Sequence, residues 1–378
     1  MGEKRSGRPT MNDVAAAAGV ALKTVSRVVN NEPGVNPATA ERVQAAIDRL
    51  GYRRNDSART LRRGRTASIG LVIEDVADPF YSGLSRAVED VALRNDHFVF
   101  TGSSGEDPAR ERDLVLAFCA RQVDGLIIVP AGTDHGYLAP EFDAGIKAVF
   151  ADRPPGAGCR ADTVLSDNAG GSRTGVAHLI AHGHRRIGFL ADSPAIFTAV
   201  ERLRGYREAL AAAGLPYDES LVAMGPPDQE RVRAVVERLL ALPDPPTALF
   251  TGNGRTTVAT LRVLDAISAR CSAYHCSACR CSNGRCSNDH GSVRHGAERH
   301  GGTGRHGQGR LAGLALVGFD DFELADLLGI TIVAQDPSRL GLTAAEMLFR
   351  RLSGHAGPGL RLELPTRLIE RGSGETVP

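Results

Sequence analysis

From Ser68 to about Phe319 the chain repeats one motif: a short apolar run, a polar or turn residue, then an amphipathic helical stretch. Such alternation specifies parallel strands joined by crossover helices, because parallel neighbours need a connection long enough to return to the starting edge. Ile69–Ile73 leads to Asp75, Phe98–Phe100 to Thr101-Gly102-Ser103, and Leu126–Val129 to Pro130. Val164-Leu165 leads to Asp167-Asn168, Ala248–Phe250 to Asn253, and Leu314–Phe319 to Asp320-Asp321. The body is therefore expected to be α/β and doubly wound. Ligands of open α/β sheets bind beyond the carboxyl ends of the strands, so polar groups at several such ends imply a binding cleft. No P-loop, GxSxG elbow, HExxH or flanked GxGxxG is present, and nothing reads as an enzyme. His182-Gly183-His184 falls where a helix should end before the strand Ile187–Leu190, an ordinary place for cations near a helix C-terminus. The sequence implies no cofactor and no metal.

The first 66 residues follow a different rule. They hold 13 Lys and Arg against six Asp and Glu, a net of +7 in a chain whose total is +1, so the remaining 312 residues carry −6. A basic end on an acidic body suits one end meeting a polyanion, although a solvated tail has the same composition. Thr10-Met11-Asn12-Asp13 fits a capping box, predicting a helix from Thr10 that ends before Gly19. A second helix is predicted from Leu22 to Val29. In it Val25, Val28 and Val29 share an inward face, while Lys23 and Arg27, four apart, face outward. Asn36-Pro37 opens a third helix with Ala40, Val43, Ile47 and Leu50 as its apolar stripe, and Gly51 stops it. Three short helices with cations on the second make a helix-turn-helix unit.

The residues then resemble a known family. Asp13-Val14-Ala15, Ala18-Gly19-Val20 and Thr24-Val25-Ser26-Arg27-Val28-Val29-Asn30 are similar to the headpiece of the lactose-repressor (LacI/GalR) family. Val35 to Tyr52 resembles its third helix, and Asn55 to Leu61 its hinge segment. In the body, Asp78-Pro79-Phe80-Tyr81, Val123-Asp124-Gly125-Leu126, Gly183-His184-Arg185-Arg186-Ile187, Arg202-Leu203-Arg204-Gly205-Tyr206, Gly318-Phe319-Asp320-Asp321 and Gln335-Asp336-Pro337 resemble its periplasmic-binding-protein-like core.

The resemblance implies a regulator of transcription, a repressor, binding palindromic double-stranded DNA as a homodimer and controlled by a small molecule held between two lobes. Lys23 and Arg27 would donate to guanine O6 and N7, and Leu22 would meet a thymine methyl. Thr10, Thr24, Ser26, Asn30 and Tyr52 would hold phosphates. Asn55, Ala58 and Leu61 would belong to a hinge whose leucine wedges into the minor groove, with Arg62, Arg63 and Arg65 along the backbone. The effector would meet Arg202, Asn253, Asp320 and, more loosely, Phe80, Asp167 and Gln335, a set suited to a sugar or nucleoside. Plainer roles stand beside these: Asp320 or Asp321 as a helix cap, Arg202 as a surface residue, Phe80 as core. Two departures are visible. Ala21 stands where the family usually has serine, and Asn253-Gly254 where it usually has Asn-Asp.

The implied domains are a headpiece with hinge at 1–66, an N-terminal lobe of 67–166 with 337–365, and a C-terminal lobe of 167–336 with 366–378. Residues 271–310 interrupt the pattern as eight pentads ending in His or Arg, with five of the seven cysteines within 271–286. A period of five fits neither helix nor strand and buries no face, so a flexible loop is expected; Cys271, Cys276, Cys281 and Cys286, with four residues between each, leave zinc as an outside alternative. The polar, basic start and the lack of any apolar run of 18 imply no signal peptide and no membrane span, hence a cytoplasmic protein. The competing functions are a solute-binding protein of the same core fold and an α/β enzyme acting on a sugar or nucleotide.

Overall fold

The computed structural model describes residues 9–53, 66–156, 158–273 and 313–378. The chain divides into two compact units, Met1–Thr66 and Ala67–Pro378.

The first unit contains α1 (Met11–Ala18), α2 (Leu22–Val29) and α3 (Pro37–Leu50). The capping box at Thr10 is formed: Asp13 N–H donates to the threonine hydroxyl and Thr10 N–H donates to the Asp13 carboxylate, at 3.4 and 2.8 Å. Gly19 and Gly51 end α1 and α3 in the left-handed conformation that side chains resist. Val14, Ala15, Val25, Val43, Ala46 and Tyr52 form the core, with Val28, Val29, Ile47 and Leu50 packed against it. Ala21 is the N-cap of α2 and supplies no side-chain hydrogen bond there.

The second unit is built on two six-stranded sheets. In the first, β1 (Ser68–Ile73), β2 (Phe98–Ser103), β3 (Gly125–Ile128), β4 (Lys147–Ala151), β5 (Asp162–Ser166) and β11 (Arg361–Leu364) run parallel in the order β11-β5-β4-β3-β1-β2. The second has the order β12-β10-β9-β8-β6-β7. It consists of β6 (Ile187–Ala191), β7 (Val222–Met224), β8 (Ala248–Thr251), β9 (Ala315–Phe319), β10 (Thr331–Ala334) and β12 (Arg367–Ile369), the last antiparallel to β10. β1, β6 and β9 are fully buried apolar runs, as strands covered on both faces require, whereas β2 and β11 are largely exposed. The chain passes between the sheets three times: from Ser166 to Asn168, from Ala334 to Pro337, and from Leu364 to Arg367.

Close helix packing holds each lobe. In the second, α7 (Asn168–Ala181) meets α8 (Phe197–Ala212) at Gly205, where a Cβ would lie 2.1 Å from the Ala169 carbonyl oxygen. In the first, α4 (Pro79–Arg94) meets α11 (Pro337–Leu352) at Gly341, where a Cβ would lie 2.3 Å from the Leu84 carbonyl oxygen. His184, buried before β6, bonds Thr247 Oγ1 at 2.8 Å and the Thr376 carbonyl at 2.7 Å, which ties the chain's end to the second lobe. Among the described residues no helix is long and apolar enough to cross a membrane.

Candidate nucleic-acid interface and inter-lobe site

In the first unit the helical period sorts α2 into two faces. Val25 is fully buried, whereas Leu22 is 45% exposed and Lys23 is exposed beside it. Neither the Lys23 ammonium nor the guanidinium of the half-buried Arg27 has a hydrogen bond or ion pair to another described residue. The Asn30 side-chain amide donates to Ser26 Oγ at 3.3 Å, closing the polar edge of the helix. Thr10 is exposed and Thr24 half-buried. Tyr52 departs from the outward-facing position expected of it: its ring is buried in the core, because the chain turns inward after Gly51. Asn55, Ala58 and Leu61, and the arginines that follow them, lie outside the described residues, as do pentad residues 274–310.

In the second unit the strand ends converge on a charged cleft. Arg202, on α8, is only 4% exposed and therefore no surface residue. Its Nε donates to Asn168 Oδ1 at 2.8 Å and its Nη1 to the Gly252 carbonyl; the Asp320 carboxylate lies 3.6 Å away, and the guanidinium sits 4.0 Å over the Phe319 ring. Asp320 caps no helix. It holds φ at +69° and accepts from the Gln335 side-chain amide, which joins the two residues expected to flank the effector. Asn253 donates to the Asp192 carboxylate and caps α10 (Gly254–Ala273) by accepting from Thr256 N–H at 2.7 Å. Phe80 is half-buried and meets Tyr81 edge to face at 5.1 Å. Asp167 is more local: it caps α7, accepting from Gly170 N–H at 2.7 Å.

Two cavities open where the lobes face each other. One, of about 410 Å³, is lined by Phe80, Asp320, Gln335, Phe322 and Arg371 among others; the second, of about 320 Å³, shares Phe80 and Asp320 and adds Asn253, Arg255 and Gln229. Phe80 and Asp320 thus line both cavities, Gln335 the first and Asn253 the second, whereas Asp167 and Arg202 line neither. At Gly254 a Cβ would lie 3.7 Å from the Asp320 Cβ, so an aspartate there would double the negative charge at that point.

Sequence reasoning missed a buried group beside these residues. Arg153 donates to both Glu106 carboxylate oxygens, to the Pro130 carbonyl at 2.9 Å and to the Tyr81 hydroxyl at 3.2 Å, and Tyr81 in turn donates to Asp152 at 3.4 Å. Arg255 reaches from the second lobe to Glu74 of the first at 3.1 Å. Burial, then the Glu106 charge, pushes the Glu74 carboxyl up to about 8. Burial also raises Asp78, Asp152 and Asp192. The available signal was position alone: Asp152-Arg153 and Glu74 each follow directly on a strand.

Comparison with known proteins agrees in both parts. Residues 10–55 match the model of bacterial regulatory proteins of the lacI family. Residues 66–271 match that of periplasmic binding proteins and the sugar binding domain of the LacI family, and residues 312–374 a periplasmic binding protein-like domain. The chain is 34% identical to the HTH-type transcriptional regulator CelR of Thermobifida fusca, over 98% of its own length and 100% of that protein. This chain belongs to the LacI family of transcriptional regulators. Its place is with regulators rather than enzymes. The LacI-family regulator GalR of Escherichia coli (strain K12) is 32% identical over 69% of this chain and 72% of its own. The solved CelR–cellobiose complex is 32% identical with a TM-score of 0.63, covering 97% of this chain and 100% of that one. The lac repressor dimer bound to operator and the anti-inducer ONPF, 24% identical, shares the fold with a TM-score of 0.72 over 97% and 99% of the two chains. The pentads at 271–310 fall almost wholly between the two body matches.

Proposed function

We propose that this LacI-family regulator represses transcription by placing α2 in the major groove of a palindromic operator, and that a small molecule held between its lobes controls that binding. One observation carries the reading: α2 buries its valines and leaves Leu22, Lys23 and Arg27 on the other side, the ammonium and guanidinium without partners among the described residues. Two cations four residues apart reach successive base edges, where guanine O6 and N7 accept. Thr10, Thr24, Ser26 and Asn30 would hold phosphates and fix the register. Asn55, Ala58 and Leu61 would complete the contact from the hinge. Tyr52 supports the headpiece core beneath that surface.

The effector would lie between the 67–166 plus 337–365 lobe and the 167–336 plus 366–378 lobe. Phe80, Asn253, Asp320 and Gln335 would touch it, Arg202 would hold Asp320 in place, and Asp167 would fix the first crossing between lobes. A carbohydrate suits an aromatic face ringed by carboxylate and amide groups, and the related CelR has been solved with cellobiose. A homodimer, as in the lac repressor complex, would read two inverted half-sites. The regulator would act in the cytoplasm, where its operator is. If effector and operator prefer different lobe arrangements, each must change the other's affinity by the same factor.

Gel-shift titration of genomic fragments in excess competitor DNA tests this reading. A small set of fragments should be retained, and a sugar library should release or tighten them. Equal retention of all fragments at moderate salt would end the proposal.

A further inference from the structure

The charges of the cleft restrict which effector it accepts. Of the arginines that line the cavities, Arg371 is engaged by both oxygens of Asp321 at 2.7 and 2.8 Å and Arg255 by Glu74; outside the linings, Arg153 is held by Glu106 and Asp152 and Arg202 by Asp320. Arg262, at the rim of the smaller cavity, is exposed to solvent. Carboxylates remain in surplus. Glu323 and Asp326 line the larger cavity in addition to the Asp321–Arg371 pair, and Asp78 lines the smaller.

A second observation is independent of that surplus. Asp152 is 3% exposed, follows directly on β4 and holds φ at +65°, and its Oδ1 has no hydrogen-bond partner. Arg202 and Asp320 of the facing lobe lie close enough for their charges to act on it, although it lines neither cavity. Gln335 Oε1 and Gln229 Oε1, one in each cavity wall, are also acceptors without partners. A buried acceptor lacking a donor is costly, and a ligand that brings donors relieves it.

We propose that the inter-lobe cleft selects a polyhydroxylated effector bearing a protonated amine, in the manner of an amino sugar, and rejects phosphorylated or carboxylated sugars. This rests on the reading of the cleft as the effector site. An ammonium brings three donors and one positive charge to acceptors that lack both. In the larger cavity a phosphate would face Asp320, Glu323 and Asp326 while the lining guanidinium, Arg371, is already held by Asp321, and its desolvation would go uncompensated.

The test uses the full chain and matched ligands on three backbones, glucose, galactose and cellobiose, each as the free sugar, the amino sugar and the 6-phosphate. Thermal shift and calorimetric titration at constant ionic strength rank them. On any backbone that binds, the amine form should be tighter than the neutral form by about tenfold, and the phosphate weaker than both. Asp192→Asn, nearly isosteric, should shrink the amine preference while the melting curve stays cooperative. A phosphate or neutral form that binds as well as the amine overturns the charge selection and leaves the effector site standing. No shift from any of the nine ligands counts against both.

Discussion

Replacing Arg202 with alanine should separate the two activities of this regulator. The guanidinium satisfies Asn168 Oδ1, the Gly252 carbonyl and Asp320, and covers the Phe319 ring. After Arg202→Ala, Asp320 keeps the Gln335 amide, but Asn168 Oδ1 and Gly252 O lose this donor in a region 4% exposed or less at Arg202 and Asn168. Removing one member of a buried ion pair costs about 3–5 kcal/mol, and an acceptor left without a partner about 1–3 kcal/mol, so water entering the vacated space offsets only part of the loss. A net loss of about 3–5 kcal/mol lowers the melting temperature by roughly 5–8 °C, at about 1.5 °C per kcal/mol for a unit the size of Ala67–Pro378. Differential scanning calorimetry of the full chain reads this directly. Operator binding at 25 °C should persist, because α2 belongs to a separate compact unit, while its response to effector should disappear. A fall of less than about 2 °C, the range of ordinary surface substitutions, would refute the idea that Arg202 holds the second lobe's side of the cleft together.

Other perturbations probe other levels of the structure. Gly205→Ala drives a methyl into the Ala169 carbonyl oxygen, and should destabilise the α7–α8 contact by about 1–3 kcal/mol or more in urea unfolding. Ala21→Ser gives α2 the missing cap at an extended N-cap backbone, and should stabilise the headpiece by about 0.5–2 kcal/mol in thermal melts followed by circular dichroism. Glu74 titrates at about 8 when folded, above its ordinary 4.5. Its contribution to stability is therefore full below the ordinary carboxylate range and lost as pH rises through about 8. Melting temperature should fall between pH 6 and pH 9, and Glu74→Gln should flatten that slope; a slope unchanged by the substitution assigns it to other groups.

The legibility of this chain varies with the range of the interaction. Helix α2 could be bounded at Leu22 and Val29 because Val25, Val28 and Val29 recur at helical spacing, and the cap at Thr10 is a local exchange of hydrogen bonds three residues apart. The long buried strands were visible as runs of branched residues. Strands of mixed composition were not: Arg361–Leu364 is exposed and becomes a strand only by pairing with Asp162–Ser166. Asp320 was visible as a polar residue at a strand's carboxyl end, but Arg202 could be singled out only through family resemblance, since an arginine on a helix is most simply a surface charge. Glu74 and Arg255 lie 181 positions apart, and no periodicity reports a pair that the fold alone brings together. The burial of Tyr52 was not legible either: as a polar aromatic after Gly51 it fits a phosphate contact, and it is the packing around Val14 and Val43 that places its ring inside.

The most direct measurement is fluorescence anisotropy of the full chain on a duplex carrying a selected operator and on a scrambled duplex, with wild type and Arg27→Ala at the same moderate salt. If α2 reads bases, the wild type prefers the operator by about a thousandfold or more, and Arg27→Ala loses about 1–3 kcal/mol on the operator while binding the scrambled duplex nearly as before. Equal affinity for both duplexes, or an operator preference untouched by Arg27→Ala, would contradict the account.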